Sequence, residues 1–379
     1  MSDAAPPEAD RLEDAPHPRD TRALIGQAAA EAAFLDAYAG GRLHHAWLIT
    51  GPRGVGKATL AWRIARFLLT EAPVEAGLFG VPEAPGTLDI DPEHPVARRI
   101  GAGSESRLFL LRRTWNPKTK RLPATIGVDE ARGLKNFFAM SAADGGRRVV
   151  IVDAADELTV NAANALLKLL EEPPDRCTLL LISHQPARLL PTIRSRCREL
   201  RCATLAPDDL ARALEQAGIE GPQDAAALGE LAAGSVGAAI GLASEDGPGL
   251  YASLIKLAGS MPRVDRTAVL KLADSAGARG REARRDLTLR LIDLFLARLA
   301  RSGSGAAPAQ EAAPGEAAEL ARLSPDPQAA RDWAALQQEL SGRATHALAV
   351  NLDPASLILD MILRINETAA NILSRRQAR

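Results

Sequence analysis

The sequence predicts an α/β domain with a parallel sheet, followed by a region that contains helices only. Short apolar runs of strand length alternate with helical segments up to about residue 204, as in the strand–helix units that build parallel sheets. Beyond that point apolar residues recur at helical spacing, and no strand-like run persists. A glycine loop, GPRGVGK, joins the first predicted strand to a helix.

The predicted strands of the α/β domain are AWLIT, VVIVD and CTLLLIS. Continuous apolar runs of this kind are typical of strands that are buried on both faces of a parallel sheet. Three helices are predicted. One lies before the first strand, the second is KATLAWRIARFLL after the glycine loop, and the third is VNAANALLKLLEEPP, which ends at Pro173 and Pro174. IGVDEARGLKNFFAM predicts a short strand that leads into a helix, whereas residues 71–125 are predicted to be irregular.

We predict four segments along the chain: a disordered acidic tail at 1–21, the α/β domain at 22–204, a small helical lid domain at 205–247, and a helical domain at 248–379. The tail is rich in proline and lacks an apolar run. Within the last domain, the low-complexity stretch 302–320 is predicted to be a flexible loop.

Composition narrows the class of protein. The formal net charge of −1 excludes a basic surface over the whole chain, so any contact with nucleic acid must be local. The three cysteines form no CxxC pair, which is typical of a reduced, cytoplasmic protein. The N-terminus has no secretory signal, and no later run approaches the length of a membrane span. We therefore expect a cytoplasmic protein without membrane contact.

The glycine loop fits the pattern G-x-x-x-x-G-K of a phosphate-binding loop, in the required setting between a strand and a helix. Its glycines are Gly51, Gly54 and Gly56. Lys57 would reach the β and γ oxygens of a nucleotide, but Ala58 stands where a hydroxyl normally ligates Mg²⁺. Thr59 lies about 100° further round the helix and is a poor substitute, although Thr59 or water could restore metal binding.

The acidic motif at the end of the predicted strand VVIVD also departs from the pattern of an active ATPase. Asp153 ends VVIVD in the position of the usual second partner of Mg²⁺, but Ala154 follows it where ring ATPases have a glutamate that polarises water. Asp156 and Glu157 lie further on and could reach the site, although they are displaced from the expected position. These losses predict a disabled hydrolase.

Three stretches resemble the AAA+ subunits of bacterial sliding-clamp loaders. They are RLHHAWLITGPRGVGKATLAWRIARFLL, VVIVDAADELTVNAANALLKLLEEPP and LLLISHQPARLLPTIRSRCREL. NALLKLLEEPP and SRC are specific to that family, whereas the glycine loop is not. The resemblance covers residues 22–245 through motifs, and the helical remainder through architecture only. It implies a P-loop AAA+ domain, a helical lid domain and an all-α C-terminal collar domain.

The resemblance also implies roles for single residues. Arg196, in SRC, matches the arginine finger that reaches into the ATP site of a neighbouring subunit; the alternative is an ordinary surface arginine in a basic run. Ser183 falls where motor subunits have a threonine that senses the γ-phosphate, or it simply ends its strand. Gly237 stands where motor subunits carry a sensing arginine. The functional groups that are missing at Ala58, Ala154 and Gly237 would all belong to the chain's own nucleotide site. Arg196, which would serve the site of a neighbouring subunit, is present.

The implied function is that of a non-hydrolysing subunit of the DNA polymerase III clamp loader, acting in DNA replication. Its expected partners are the gamma/tau motor subunits and the delta subunit in a hetero-pentameric ring, the sliding clamp, and primed DNA through the assembled complex. No cofactor is required, weak or vestigial ATP binding stays open, and no zinc is expected because residues 71–125 lack cysteine. The alternatives are an active gamma/tau-like ATPase motor and an unrelated phosphate-loop nucleic-acid enzyme, which leaves SRC unexplained.

A basic cluster within residues 71–125 allows two interpretations. It could contact DNA phosphates, or it could be a solvated charged loop, which is the commoner case. Its members are Arg98, Arg99, Arg107, Arg112, Arg113, Lys118, Lys120 and Arg121.

Overall fold

The computed structural model describes residues 7–12, 15–21, 23–70, 85–139, 146–219, 225–278, 280–350 and 352–377. The chain divides into two units, one formed by 1–218 with 234–238 and the other by 219–233 with 239–379. The predicted lid domain, 205–247, contributes residues to both units. Its boundaries stay a prediction.

A parallel sheet with strand order β2-β3-β4-β1-β5 forms the centre of the first unit. The strands are β1 (Ala46–Thr50), β2 (Leu108–Arg112), β3 (Arg148–Asp153), β4 (Cys177–Ser183) and β5 (Arg198–Arg201). Every residue of β1 and β4 is buried, as expected for central strands of a sheet that is covered on both faces. The predicted α/β architecture is confirmed.

Helices lie on both faces of this sheet. The helices of the first unit that precede residue 219 are α1 (Ala28–Ala39), α2 (Lys57–Thr70), α3 (Pro95–Gly101), α4 (Val128–Ala139), α5 (Val160–Glu171), α6 (Pro191–Arg194) and α7 (Pro207–Gln216). On one face, Val150 of β3 belongs to a core with Leu134 of α4 and Leu166 of α5. On the other face, the ring of Phe34 lies 5.2 Å from the ring of Trp47 in β1. In β1, Leu48 belongs to the first of these cores and Trp47 packs on the other face, so alternate residues of one strand contribute to both cores.

Several elements lie where the sequence analysis predicts none, among them α3, β2, β5 and the short helix α6. The prediction that residues 71–125 are irregular is wrong at α3 and β2, and β5 was not predicted at all. β2 and β5 are the edges of the sheet, and β5 buries only Leu200 of its four residues, so neither has the apolar pattern of a central strand. The short strand predicted before α4 is an isolated bridge between Ile126 and Leu158.

The described part of the second unit consists of helices, as predicted. They are α8 (Ala225–Ala232), the part of α9 (Val236–Ser244) from residue 239 onwards, α10 (Gly247–Ser260), α11 (Arg266–Gly277), α12 (Glu282–Gly303), α13 (Glu316–Leu323), α14 (Pro327–Ala349) and α15 (Pro354–Gln377). Leucines at helical spacing, such as Leu287 and Leu291 in α12, are buried. The all-helical C-terminal architecture is therefore confirmed.

A buried ion pair joins several of these helices. Arg298 of α12 donates from Nη1 to both carboxylate oxygens of Glu316 in α13, at 2.9 and 3.1 Å. The two residues are only 3 and 1 % exposed. The hydroxyl of Tyr251 in α10 donates to Glu316 Oε1 at 2.6 Å, and Arg298 Nη2 donates to Glu230 Oε2 of α8 at 3.2 Å. The predicted flexible loop, 302–320, thus ends in a helix that the network holds in place.

Candidate functional site

The glycine loop joins β1 to α2 with the backbone that its motif predicts. Gly51, Gly54 and Gly56 have φ values of 140°, 78° and 99°, in the region that favours glycine. Space also requires glycine at the first position, since a Cβ on Gly51 would lie 2.3 Å from the carbonyl oxygen of Cys202. Lys57 begins α2 directly after the loop. The predicted strand, loop and helix therefore meet at the carboxyl end of the sheet.

The side chain of Lys57 turns back onto the loop that precedes it. Its ammonium donates to the carbonyl oxygen of Gly51 at 2.7 Å and to that of Pro52. The residue is 3 % exposed. Burial lowers the pKa of this ammonium to about 8. Of the three N–H groups of the ammonium, two are therefore directed at the loop's own backbone.

Residues 235–237 lie directly on the glycine loop. The hydroxyl of Ser235 donates to the carbonyl oxygen of Arg53 at 2.8 Å, and the N–H of Gly237 donates to that of Gly54 at 3.0 Å. A Cβ on Gly54 would lie 2.4 Å from Ser235 Oγ. A Cβ on Gly237 would lie 3.0 Å from the Cα of Gly54. The segment and the loop are thus in backbone contact.

The other residues predicted for this site lie at or near the carboxyl end of the sheet, where the glycine loop also lies. Asp153 ends β3 and Ser183 ends β4, two neighbouring parallel strands. Burial, together with the charges of Asp10 and Glu157, raises the pKa of Asp153 to about 7. Ser183 is fully buried, and its Oγ has no hydrogen-bond partner among the described residues. Thr59 is half-buried in the first turn of α2.

The two acidic residues that follow the strand β3 are engaged elsewhere. Asp156 accepts a hydrogen bond from the backbone N–H of His184 at 2.9 Å. Glu157 forms ion pairs with Arg53 at 3.1 Å and with Arg113 at 2.7 Å. Burial and the nearby positive charge of the loop lower the pKa of His184 to about 4, so its ring is neutral at pH 7. These contacts give both carboxylates a structural role at the edge of the site.

The N-terminal segment also reaches this edge. Glu8 lies 2.8 Å from Arg112 at the end of β2, and Asp10 pairs with the same guanidinium. His17 is 2 % exposed, and its ring lies 3.4 Å from Asp10. These contacts involve residues of the predicted disordered tail, 1–21, of which 1–6 and 13–14 lie outside the described residues, and the extent of that tail stays a prediction. The guanidinium of Arg112 holds two carboxylates of the described segment.

Arg196 lies at the opposite end of the sheet. It precedes β5, in which Arg198 is paired with Trp47 near the start of β1, whereas the glycine loop follows the end of β1. At about 3.3 Å per residue, the length of β1 separates them by roughly 17 Å. Nη2 of Arg196 lies 2.9 Å from Oε1 of Glu171, and its Nη1 donates to the carbonyl oxygen of Thr192 at 3.1 Å. The side chain is 37 % exposed and cannot serve its own loop.

Four residues that contact the predicted site, or contact Arg112 beside Asp153 in the sheet, were missed from the sequence. They are Glu8, Asp10, Glu171 and Ser235. Glu171 lies in the LEEPP stretch, so the family resemblance was a signal that could have drawn attention to it. The other three contact residues that are 102 to 182 positions away along the chain, and no local pattern marks such pairs.

Among the described residues, no group of three or more His, Cys, Asp or Glu side chains could hold a metal ion. In those same parts of the chain, no helix is long and apolar enough to cross a membrane. Cys177, Cys197 and Cys202 are free, and burial raises the pKa of each thiol.

Residues of the first unit are similar to subunits of DNA polymerase III. Residues 26–206 match a family model described as DNA polymerase III, delta subunit. The DNA polymerase III subunit delta' of Pseudomonas aeruginosa is 41% identical over 191 residues, which cover 47% of this chain and 53% of that protein. The delta' subunit of Escherichia coli K12 is 36% identical over 211 residues, covering 55% and 57%.

Gamma/tau subunits of DNA polymerase III match as well, at lower identity. The gamma/tau subunit of Mycobacterium tuberculosis H37Rv is 32% identical over 208 residues, covering 52% of this chain and 31% of that protein. A solved structure of a gamma subunit-related protein from Thermotoga maritima has a TM-score of 0.41 and 18% identity, and covers 86% of this chain and 95% of that one.

The matching segment spans about half the length of the delta-prime relatives. The family model covers the glycine loop, the acidic strand β3 and the SRC stretch alike. Over residues 26–206 the chain is therefore similar to the delta-prime subunits of DNA polymerase III.

Proposed function

We propose that this protein is a delta-prime-like subunit of the clamp loader that does not hydrolyse ATP and that acts on a neighbouring ATPase subunit through Arg196. One observation carries the proposal. The side chain of Lys57 is bound to the backbone of its own loop, whereas Arg196 is partly exposed at the far end of the sheet. Lys57, which would bind the chain's own nucleotide, is thus hydrogen-bonded to its own loop. Arg196, which would act on the nucleotide of a neighbouring subunit, is accessible from solvent.

The glycine loop is a poor fit for a magnesium nucleotide in this arrangement. Ala58 offers no hydroxyl to Mg²⁺, and Ala154 offers no carboxylate to an attacking water. Residues 235–237 contact the loop on their side of it, and Lys57 would have to leave two carbonyl oxygens to reach a phosphate. We propose that the loop keeps the fold of the domain and that no cofactor is required there.

The position of Arg196 suits a role in trans. Thr192 and Glu171 each take one N–H of the guanidinium, which has five, so the others can point towards a neighbour. A guanidinium fixed beside a γ-phosphate stabilises the charge of the transition state, and such fingers raise turnover by about 10³–10⁵ where they have been measured in GTPases.

The partners follow from the relatives by name and stay part of the proposal. Gamma/tau and delta-prime proteins are named as subunits of the same polymerase. We propose that the chain joins the gamma/tau and delta subunits in a five-subunit cytoplasmic ring, with its C-terminal helices in the collar. The ring would load the sliding clamp onto primed DNA.

The experiment is ATP turnover of the reconstituted complex in the presence of primed DNA. We expect Arg196→Ala to lower this turnover several-fold and to leave assembly of the complex unchanged. Arg194→Ala is a matched control, because this exposed arginine lies two residues earlier in the same basic run. Equal effects of both substitutions, or no effect of the first, would count against the finger.

The second candidate is an active motor, which the 32% identity to gamma/tau favours. It predicts Mg²⁺-dependent ATP hydrolysis by the purified chain alone, lost in Lys57→Ala. The proposed function predicts no such activity above a protein-free blank. Equilibrium binding of a fluorescent ATP analogue, with and without Mg²⁺, separates an unoccupied loop from one that binds nucleotide without turnover.

A further inference from the structure

The basic cluster between residues 98 and 121 divides sharply in the structure. Five of its eight cations form ion pairs with carboxylates. These pairs are Arg98 with Glu93 at 3.8 Å, Arg99 and Arg107 with Glu105 at 2.9 Å each, Arg112 with Glu8 at 2.8 Å, and Arg113 with Glu157 at 2.7 Å. The remaining three, Lys118, Lys120 and Arg121, have no ion pair among the described residues and are exposed.

These three cations lie on a structured turn, residues 116–121, which we name the basic turn. The N–H of Asn116 donates to the carbonyl oxygen of Arg121 at 3.0 Å and closes the turn. The side-chain oxygen of Asn116 accepts from the N–H of Lys118 at 2.9 Å and from that of Thr119 at 3.2 Å. The backbone is therefore fixed by its own hydrogen bonds, while the charged side chains extend into solvent.

The base of the turn is anchored to the α/β domain. Arg113 donates from Nη1 to the carbonyl oxygen of Pro123 at 3.2 Å, and its Nε lies 2.7 Å from Glu157. Glu157 belongs to the edge of the glycine-loop site. A cationic turn that is held in this way loses less conformational entropy on binding a ligand than a free loop would.

The local charge is strongly positive although the net charge of the chain is −1. Between Glu105 and Asp129 the sequence contains no carboxylate. Asp129 itself is paired with Arg132. The field of the basic turn is therefore not cancelled by acidic neighbours in its own segment.

We infer that the basic turn is a binding surface for the phosphate backbone of DNA. Three exposed cations on one short turn match the repeating negative charge of a nucleic acid strand. A protein partner would be expected to need an apolar or aromatic anchor at the centre of the contact. The exposed residues of the turn are polar apart from Pro117, which favours phosphates over a protein surface.

This inference goes beyond the proposed function, since it assigns direct DNA contact to this subunit and requires nothing of Arg196. The test is the affinity of the purified full chain, and of the reconstituted complex without nucleotide, for a fluorescent primer–template duplex over a series of salt concentrations. The test variant is Lys118→Ala/Lys120→Ala/Arg121→Ala. The control variant is Lys256→Ala/Arg263→Ala/Lys271→Ala, which removes three exposed cations from the second unit.

Each phosphate contact contributes about 0.9 to the slope of log K against log salt concentration. We expect the test variant to flatten this slope by about 2–3 and to weaken binding at ~0.1 M salt about tenfold or more, because three contacts are lost. The control variant should change the slope by less than one contact. A matching thermal unfolding curve for both variants excludes a folding defect.

Equal slopes for wild type and test variant would overturn the inference. So would a loss of binding to the sliding clamp with DNA affinity unchanged, because the turn would then be a protein contact. Arg196→Ala separates the two proposals: it should lower ATP turnover without changing the salt slope. A failure of one proposal therefore leaves the other testable.

Discussion

Ser235 and Gly54 meet so closely that no side-chain atom fits between them: a Cβ on Gly54 would lie 2.4 Å from Ser235 Oγ. The φ of Gly54 is also positive, at 78°. Gly54→Ala combines backbone strain with an overpacked contact, so we expect it to lower the free energy of unfolding by about 2–4 kcal/mol. Chemical denaturation followed by circular dichroism measures this loss.

Two variants separate the strain from the contact. Gly41 has a φ of 64° and open space around its Cβ position, so Gly41→Ala should show the backbone strain alone, about 1–2 kcal/mol. Adding Ser235→Gly to Gly54→Ala should recover part of the loss, since the two residues are in contact. An additive double variant would show that residues 235–237 do not rest on the loop in solution.

Asp153 predicts a pH dependence of stability. Its pKa is raised from 3.8 to about 7 in the folded chain, mainly by burial. Between these values the folded state holds a proton that the unfolded state has lost, so this group's stabilisation is complete below about pH 4 and is lost as the pH rises through 7. Asp153→Asn should match wild type near pH 4 and exceed it in stability at pH 8.

Unfolding midpoints of the two proteins over this pH range check the prediction. A constant difference across the range would mean that the carboxyl group does not titrate there. A wild type that is the more stable protein at pH 8 would mean that the charged carboxylate is stabilising, as a working metal site requires.

The buried pair Arg298 and Glu316 should dominate the stability of the second unit. Arg298→Met leaves the carboxylate of Glu316 buried without its main partner, which costs about 3–5 kcal/mol when such pairs are broken. Arg343→Met removes a surface pair with Asp360 at 2.8 Å and should cost no more than about 1 kcal/mol. Similar unfolding midpoints for both variants in denaturant would refute this ranking.

Glu171 should act as a positioning residue for Arg196. Their contact, at 2.9 Å, is partly exposed, and such pairs are worth about 0.2–1 kcal/mol. Glu171→Ala should therefore lower the DNA-stimulated ATP turnover of the complex by at most about fivefold, with little change in KM for ATP. Glu172→Ala removes the adjacent exposed carboxylate and is the control.

Glu171→Asp extends this test, since a shorter carboxylate can partly restore the pair. The expected order of turnover is wild type, Asp, Ala. A rise in turnover for Glu171→Ala would reverse the interpretation, because Glu171 would then compete with the neighbour's phosphate for Arg196.

The central strands could be predicted because strands that are buried on both faces have a recognisable apolar sequence. All of β1 and β4 is buried, so both are continuous apolar runs. The edge strand β5 reads RELR and contributes only Leu200 to the core, so its identity depends on pairing with β1 rather than on its own residues. Apolar pattern fixes the middle of this sheet, and tertiary pairing decides its edges.

The candidate site divides in the same way. Gly51 and Lys57 follow from a local motif, and the structure has them in the predicted strand–loop–helix setting. The contact between Ser235 and Arg53 spans 182 positions, and the direction of the Lys57 ammonium depends on carbonyl oxygens that any sequence would supply. Motif and spacing predict where a site lies, but not which of its hydrogen-bonding groups are already paired with other parts of the chain.

The sheet gives the first unit a direction, with Arg196 at its amino end and the glycine loop at its carboxyl end. Identical or related subunits that contact head to tail join one such end to the other, and this arrangement continues until a surface fails to match. Under the proposed function, the end with Arg196 acts on a neighbour's ATP site, whereas the end with the glycine loop holds no active ATP site for the next subunit to act on. This chain would therefore terminate a row of ATP sites, and a ring that contained a single copy of it would not be rotationally symmetric.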